Sequence, residues 1–199
     1  MQRRSFLAAL AALLSFPNLA AAAPSSADAQ KFIDSLGEAA ISSLTGADLS
    51  EDEREKRFRS LLESHFDLPG ISKFVLARYW RVATDAERAD FRRLFENLLV
   101  QAYAKKFAEY AGERFKVSGA LANDDGSVTV NSLIDRPNGD QIRLDWRVED
   151  VSGLKISDLI VEGVSLRTTY RSDVGSVIQN GGGKVASLLD ALRQKTGTQ

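Results

Sequence analysis

The chain has 199 residues, of which 44% are hydrophobic and 27% are charged, and its net charge is −1 at pH 7. This length predicts a single domain that can bury a core, and the balanced charge argues against nucleic-acid binding. Cysteine is absent and histidine occurs once, so packing alone must hold the fold and no metal site is expected.

Residues 1–22 have the layout of a cleavable secretory signal. The pair Arg3-Arg4 precedes an apolar run at 6–16 that is too short to span a bilayer, and small residues follow. We place cleavage after Ala22, where the small-x-small rule is satisfied. The arginine pair also fits a twin-arginine signal, and the general secretory route stays open. Both routes lead to the periplasm and leave a mature domain at 23–199 with 24 basic and 27 acidic residues.

The first half of the mature chain shows apolar residues at helical spacing in four successive segments. Ser50 and Thr84 each begin a capping-box pattern, Pro69 suits the first turn of a helix, and Gly46 is placed to cap a helix end. The predicted helices cover about 27–45, 51–66, 69–80 and 85–112.

After Gly112 the apolar residues alternate, which predicts strands and antiparallel pairing. The segment Pro137-Asn138-Gly139-Asp140 predicts a two-residue hairpin turn, because Asn and Gly tolerate positive φ. Ser172 is placed to begin a further helix through Ile178, and a last helix follows the glycine run at 181–183. The predicted strands lie near 115–117, 128–130, 142–148 and 156–166.

Helices followed by a meander predict an α+β fold, in which N-terminal helices pack on a curled antiparallel sheet. The longest predicted helix would lay its apolar stripe, Phe91 to Tyr110, on that sheet. Taken alone, this stripe indicates ordinary core. The same residues would also serve as the wall of an apolar cavity.

Two polar groups are candidates for function. Arg167, Tyr170 and Arg171 precede the helix start predicted at Ser172, an arrangement that suits an anionic phosphate. The alternative for this group is a solvated loop.

The second candidate is His65 with Asp145 or Asp158, a combination that resembles acid–base machinery. Both aspartates alternate with apolar residues on predicted strands, which places them on the solvent face. We therefore predict no catalytic residue.

Four short motifs, in their order and spacing, resemble the MlaC (toluene-tolerance) family of periplasmic phospholipid-binding proteins. They are Phe74-Val75-Leu76-x-Arg78-Tyr79-Trp80, Asp145-Trp146-Arg147, Val161-Glu162-Gly163-Val164-Ser165-Leu166 and Tyr170-Arg171-Ser172.

The resemblance implies a cone-shaped fold related to the NTF2-like domains, with a cavity for both acyl tails and the head group near solvent. It implies no catalysis and no cofactor. It also implies two docking partners, an outer-membrane lipoprotein–porin complex and an inner-membrane ABC transporter with its substrate-binding subunit. Such a carrier would shuttle phospholipid between the membranes and maintain lipid asymmetry. A carrier of another apolar lipid, such as a hopanoid, and an NTF2-like enzyme that uses His65 are the alternatives.

On this interpretation, Arg167, Tyr170 and Arg171 are candidates for the head group. The residues expected to contact the lipid tails are Ile71, Phe74, Val75, Phe91, Phe95, Leu98, Leu99, Tyr103, Phe107, Val130, Leu144, Trp146, Val164 and Leu166.

Overall fold

The computed structural model describes residues 24–46 and 48–197, so the predicted leader at 1–22 lies outside the described residues. Within these ranges a helical half precedes an antiparallel sheet, and two helices follow it. The predicted α+β class is confirmed. The helices are α1 Ser26–Leu44, α2 Glu51–His65, α3 Leu68–Leu76, α4 Asp85–Tyr103, α5 Leu166–Asn180 and α6 Val185–Thr196, with 3₁₀ helices at Ala77–Arg81 and Ala104–Glu109.

The helix starts predicted at Ser50 and Thr84 are confirmed by their caps. Thr84 Oγ1 accepts a hydrogen bond from Glu87 N at 3.2 Å, and the Glu87 carboxylate accepts one from Thr84 N at 2.8 Å. This reciprocal pair is a complete capping box. Ser50 Oγ accepts from the backbone N–H of Glu53 at 3.2 Å, which satisfies one donor of the first turn of α2.

The end of the fourth helix differs from the prediction. α4 stops at Tyr103, and the 3₁₀ helix Ala104–Glu109 continues from it. The single helix predicted to reach Gly112 is therefore wrong at its C-terminal end. Apolar spacing over two turns does not distinguish a 3.6-residue period from a period of three.

The end of α1 is capped by a side chain from α2. Gly46 was expected to cap this helix in the left-handed region, but the cap is Thr45 with φ −100°. Arg54, which is only 7% exposed, donates from Nε to Leu44 O at 3.0 Å and from Nη2 to Leu49 O at 3.1 Å. The guanidinium thus satisfies carbonyls of the kind that backbone N–H groups satisfy where a glycine caps a helix.

The sheet is a five-stranded antiparallel meander in the order β1-β2-β3-β4-β5. Register shifts at Val117/Gly119 and at Arg147/Val148 mark bulges, which bend a strand and increase its twist. The predicted order of strands is confirmed, with a short fifth strand added. The strands are β1 Arg114–Ala122, β2 Val128–Asp135, β3 Gln141–Asp150, β4 Leu154–Val161 and β5 Val164–Ser165.

The two-residue hairpin occurs at a different place from the one predicted. Glu162 and Gly163, with φ 49° and 80°, join the paired residues Val161 and Val164, as a primed turn requires. In the loop at 136–140 only Gly139 has positive φ, so the two-residue turn predicted there is wrong. Its proline favours an ordinary turn, because the ring sets φ near −65°.

The turn after β4 also changes the assignment of the basic segment. Ser165 caps α5 by accepting a hydrogen bond from Thr168 N at 3.2 Å. Arg167, Tyr170 and Arg171 therefore lie in the first two turns of a helix, and Ser172 lies inside it. The predicted helix start at Ser172 is wrong, because the strand ends early and an upstream serine provides the cap.

Two packed cores flank the centre of the molecule. One joins α3, α4, α5 and α6 around side chains such as Phe91, Leu94 and Ile178. The other packs the first half of α1, including Ile33, on Val128 and other inner residues of the sheet. No helix within the described ranges has both the length and the apolar character needed to cross a bilayer.

The Arg54 cap predicts a loss of stability when its donors are removed. Arg54→Met keeps the apolar stem but leaves buried carbonyls unpaired, so we expect the free energy of unfolding to fall by about 2–3 kcal/mol. Urea denaturation measures this change. Lys56→Met, at an exposed position of the same helix, should stay within about 0.5 kcal/mol of the parent. Equal effects of the two substitutions would contradict the assignment.

Candidate functional site: an apolar cavity

A cavity of about 680 Å³ lies between the two packed cores. Its walls come from α1 to α4, the 3₁₀ helix Ala104–Glu109, strands β1 to β4 and the start of α5. Most of the wall is aliphatic or aromatic, and the volume lies within the range typical of small-molecule and cofactor sites.

The cavity begins where α1 stops packing on the sheet. Ala29 and Ile33, in the first half of α1, belong to the core formed with the sheet. Leu36 belongs to this core and also lines the cavity, and Gly37 and Ala40 line the cavity only. The small side chains of Gly37 and Ala40 leave the space open.

Gly37 also permits a close aromatic contact. A Cβ atom at this position would lie 2.3 Å from Cδ1 of Phe115, so any larger residue would displace that ring. The Phe115 ring meets Trp146 edge-on, with the centroids 6.2 Å apart and the planes at 85°. These two aromatic side chains form the sheet side of the cavity.

The opposite wall is the apolar stripe of α4. Phe95, Leu99 and Tyr103 are spaced four residues apart and all line the cavity, as the geometry of one helix face requires. Phe58 and Phe107, whose centroids are 5.9 Å apart, continue this wall. Aromatic side chains therefore line the cavity on both sides.

One buried ion pair lies on the cavity wall. The Asp158 side chain is 6% exposed, and its Oδ2 atom lies 3.4 Å from Nε of Arg167. It also accepts hydrogen bonds from Ser165 Oγ at 2.6 Å and from the Arg167 backbone N–H at 3.2 Å. A carboxylate at this place satisfies donors of the first turn of α5.

Two tyrosines join α4 to α5 beside this pair. The hydroxyl oxygens of Tyr103 and Tyr170 lie 3.2 Å apart, and the Tyr170 ring meets Phe95 edge-on at 5.3 Å between centroids. Burial, together with the hydrogen bond to Tyr103, raises the pKa of the Tyr170 hydroxyl. The Tyr170 hydroxyl therefore keeps its proton at neutral pH.

A second charged group lines the cavity where its wall is exposed. Lys106 and Glu109 belong to the 3₁₀ helix, Glu113 precedes β1, and Arg136 follows β2. The backbone N–H of Ala111 donates to the Glu113 carboxylate at 2.7 Å. This hydrogen bond, with the nearby Arg136 guanidinium, holds the pKa of Glu113 below its usual value. We call Lys106, Glu109, Glu113 and Arg136 the charged rim.

A family model described as MlaC protein matches residues 34–194. The chain belongs to the MlaC family. The match covers α2 to α5 completely and most of α1 and α6, and it confirms the resemblance carried by the four sequence motifs.

A solved structure has the same fold as this MlaC-family chain. It is a phospholipid-binding protein from Ralstonia solanacearum in complex with a phospholipid, and the two chains superpose with a TM-score of 0.77. The sequence identity is 23%, and the alignment covers 85% of this chain and 97% of the other.

The cavity wall contains many of the residues expected to contact lipid tails. Of the head-group candidates, Arg167 and Tyr170 also line it, whereas Arg171 stacks on the Phe74 ring, 5.0 Å from its centroid. The expected tail residues on the wall are Ile71, Phe95, Leu99, Tyr103, Phe107, Leu144, Trp146 and Leu166.

The other expected residues lie elsewhere. Val164 is 57% exposed on β5, because the turn before it ends the inward alternation of β4. Val130 is buried between α1 and the sheet. The four that belong to the helical core or pack against it are Phe74, Val75, Phe91 and Leu98.

Sequence reasoning missed the contribution of α1 and α2 to the wall. Leu36, Ile41, Phe58 and Leu61 line the cavity, although their spacing predicted only amphipathic helices. The small pair Gly37 and Ala40 on the apolar face of α1 was the available signal.

Strand alternation predicted that Asp145 and Asp158 face solvent, and this prediction is wrong, because both side chains are buried. Asp158 lies on the cavity wall, because the start of α5 folds back over β4 and covers it. Asp145 is 8% exposed and accepts hydrogen bonds from Asn131 Nδ2 at 2.7 Å and Arg143 Nε at 3.1 Å. Alternation assigns a side chain to one face of the sheet, but what covers that face is decided by other elements.

His65 lies outside the cavity wall. Its Nδ1 atom is 2.9 Å from Leu61 O and 2.8 Å from Ser64 Oγ, and its ring packs against Phe32. In the part of the chain that the structure describes, no group of three His, Cys, Asp or Glu residues could hold a metal ion.

The Asp158–Arg167 pair predicts a stability effect. Asp158→Ala removes a buried acceptor of three donors and leaves Arg167 without its counter-ion. Because Arg167 keeps partial access to water, we expect a loss of about 2–3 kcal/mol in unfolding free energy.

Thermal or urea denaturation tests this expectation. Asp190→Ala removes the partner of an exposed i,i+3 pair with Arg193 and should cost less than about 0.5 kcal/mol. If Asp158→Ala were equally harmless, the pair would not organise the start of α5.

Proposed function

We propose that this chain is a periplasmic phospholipid carrier. The observation that supports the proposal most directly is the apolar cavity of about 680 Å³ in a member of the MlaC family. The phospholipid bound to the related protein from Ralstonia solanacearum supports the same ligand class.

The energetics of lipid transfer favour such a cavity. A diacyl lipid has about 30 methylene groups, each worth about 0.8 kcal/mol when removed from water, which gives a gross gain on the order of 20 kcal/mol. Only a deep apolar site provides this burial. The bilayer provides a similar gain, so net transfer between membrane and carrier is close to balanced, as a shuttle requires.

The polar groups of the cavity favour binding over catalysis. Asp158 and Arg167 are paired with each other, and the Tyr170 hydroxyl is hydrogen-bonded to Tyr103. A general acid or base needs a proton-exchanging group within reach of a substrate. These groups instead hold α4, α5 and β4 around the ligand space.

The route of the carrier follows from the sequence signal and the family. A cleaved leader at 1–22 would deliver residues 23–199 to the periplasm. There the protein would exchange phospholipid with an outer-membrane lipoprotein–porin complex and with the substrate-binding subunit of an inner-membrane ABC transporter. This traffic would maintain the lipid asymmetry of the outer membrane.

Mass spectrometry of the purified protein tests the ligand class. After expression with its leader, the mature protein should carry phospholipid at about one molecule per chain, detectable by native spectra and by solvent extraction. An extract containing a hopanoid or another neutral lipid would replace the proposed ligand. A reproducibly empty protein would overturn the proposal.

Charge placed on the cavity wall should abolish lipid retention. Leu99 is 9% exposed on that wall, so Leu99→Glu would put a carboxylate among the acyl chains at a cost of several kcal/mol. We expect lipid loading to fall at least tenfold. Leu121→Glu, at a position 66% exposed on β1, should keep its lipid.

A volume-filling variant tests the same cavity without adding charge. Ala40→Trp places an indole in the space beside α1 and should reduce loading several-fold while the helical content is kept. Ser42→Trp, on the exposed side of the same helix, is the matched control. Normal loading of Ala40→Trp, in a folded protein, would show that lipid tails lie elsewhere.

A further inference from the structure

The charges on the cavity wall fall into two groups with different roles. Asp158 and Arg167 neutralise each other beneath the start of α5. The charged rim is different, because it contains two cations and two carboxylates, and its members are exposed or half-buried. Its net charge is zero, although each sign is present twice.

The backbone brings the rim residues together in opposite-charge pairs. Lys106 and Glu109 are three residues apart in a 3₁₀ helix, where side chains at i and i+3 lie above one another. Arg114 pairs with Asp135 across β1 and β2, so Glu113 and Arg136 extend the same two strands side by side. Each pair therefore offers one cation and one anion to the cavity entrance.

The rim cations are available to a ligand. Within the described ranges, the side chains of Lys106 and Arg136 make no hydrogen bond and no ion pair within 4.0 Å, unlike the Arg167 side chain at the other charged group. The Glu113 carboxylate is fixed by the Ala111 N–H at 2.7 Å. A guanidinium and an ammonium together suit the oxygens of a phosphate, and carboxylates suit a positively charged amine.

We propose that the charged rim selects zwitterionic phospholipids over anionic ones. Lys106 and Arg136 bind the lipid phosphate, and Glu109 and Glu113 bind the positively charged amine of the same head group. An anionic head group would satisfy the cations but would bring no charge for the carboxylates. This inference rests on the proposed function, because the acyl chains must occupy the cavity for the head group to reach the rim.

A competition experiment tests the selectivity. The delipidated protein is equilibrated with vesicles containing equal amounts of phosphatidylethanolamine and phosphatidylglycerol with identical acyl chains. Extraction and mass spectrometry then give total lipid per protein and the ratio of the two classes. The parent protein should be enriched in phosphatidylethanolamine by about threefold, the size expected for one or two exposed charge pairs.

The variants separate the two signs of the rim. Glu109→Gln with Glu113→Gln should bring the ratio to about one or below, because the amine loses its partners. Lys106→Met with Arg136→Met should lower the loading of both lipids. Asp34→Asn with Glu38→Gln removes the same charge from an exposed face of α1 and should leave the ratio unchanged.

The readouts distinguish the inference from the proposed function. Full loading with no preference in the parent protein, or an unchanged ratio in the glutamine variant, would overturn the selectivity while leaving the carrier intact. A ratio that the Asp34 and Glu38 control shifts equally would show a general charge effect and would also overturn it. A protein that takes up neither lipid would overturn both.

Discussion

The rest of this structure depends on one constraint, which is that two apolar walls must face each other without touching. Aliphatic and aromatic side chains gain dispersion contacts and lose water when they close together. A cavity lined by Phe95, Leu99 and Trp146 therefore tends to collapse unless its walls are held apart. The structure holds them apart with two separately packed cores, one among α3 to α6 and one between α1 and the sheet. Close-packed cores resist the deformation that collapse would need.

Polar side chains fix the junctions between these cores. Arg54 joins the end of α1 to α2, and Asp158 joins β4 to the start of α5. Both are buried, and both satisfy backbone groups at helix ends, where unpaired donors and acceptors are costly. They hold the end of α1 and the start of α5, and both of these segments line the cavity.

An open apolar cavity also couples stability to ligand binding. A ligand that binds the folded state stabilises it by mass action, and here it would restore the contacts that the walls lack. The charged rim does not share this role, because its members are accessible to water and contribute little to folding. In the proposed carrier, a tail site built for burial is separate from a head-group site that discriminates between charges.

The amino-acid sequence determined the local structure wherever a short-range signal was decisive. The capping box at Thr84, the helix start at Ser50 and the order of strands were all predictable, because caps and alternation depend on neighbours within a few residues. The motif string was also sufficient to predict the MlaC family. The loop at 136–140 and the end of α4 were not predictable, because several backbone conformations satisfy the same local pattern.

Only the tertiary structure decided which apolar residues line the cavity and which fill a core. Phe91 and Phe95 belong to one predicted stripe, yet only Phe95 reaches the cavity, because α6 packs against part of α4. Asp158 was assigned to solvent by its alternation and is covered by α5, a helix that follows it in the chain and folds back over it. Hydrophobicity determines that a side chain leaves water. Whether it then contacts another side chain or lines an open space depends on elements distant in the sequence. The periodicity of a local segment does not show where those elements pack.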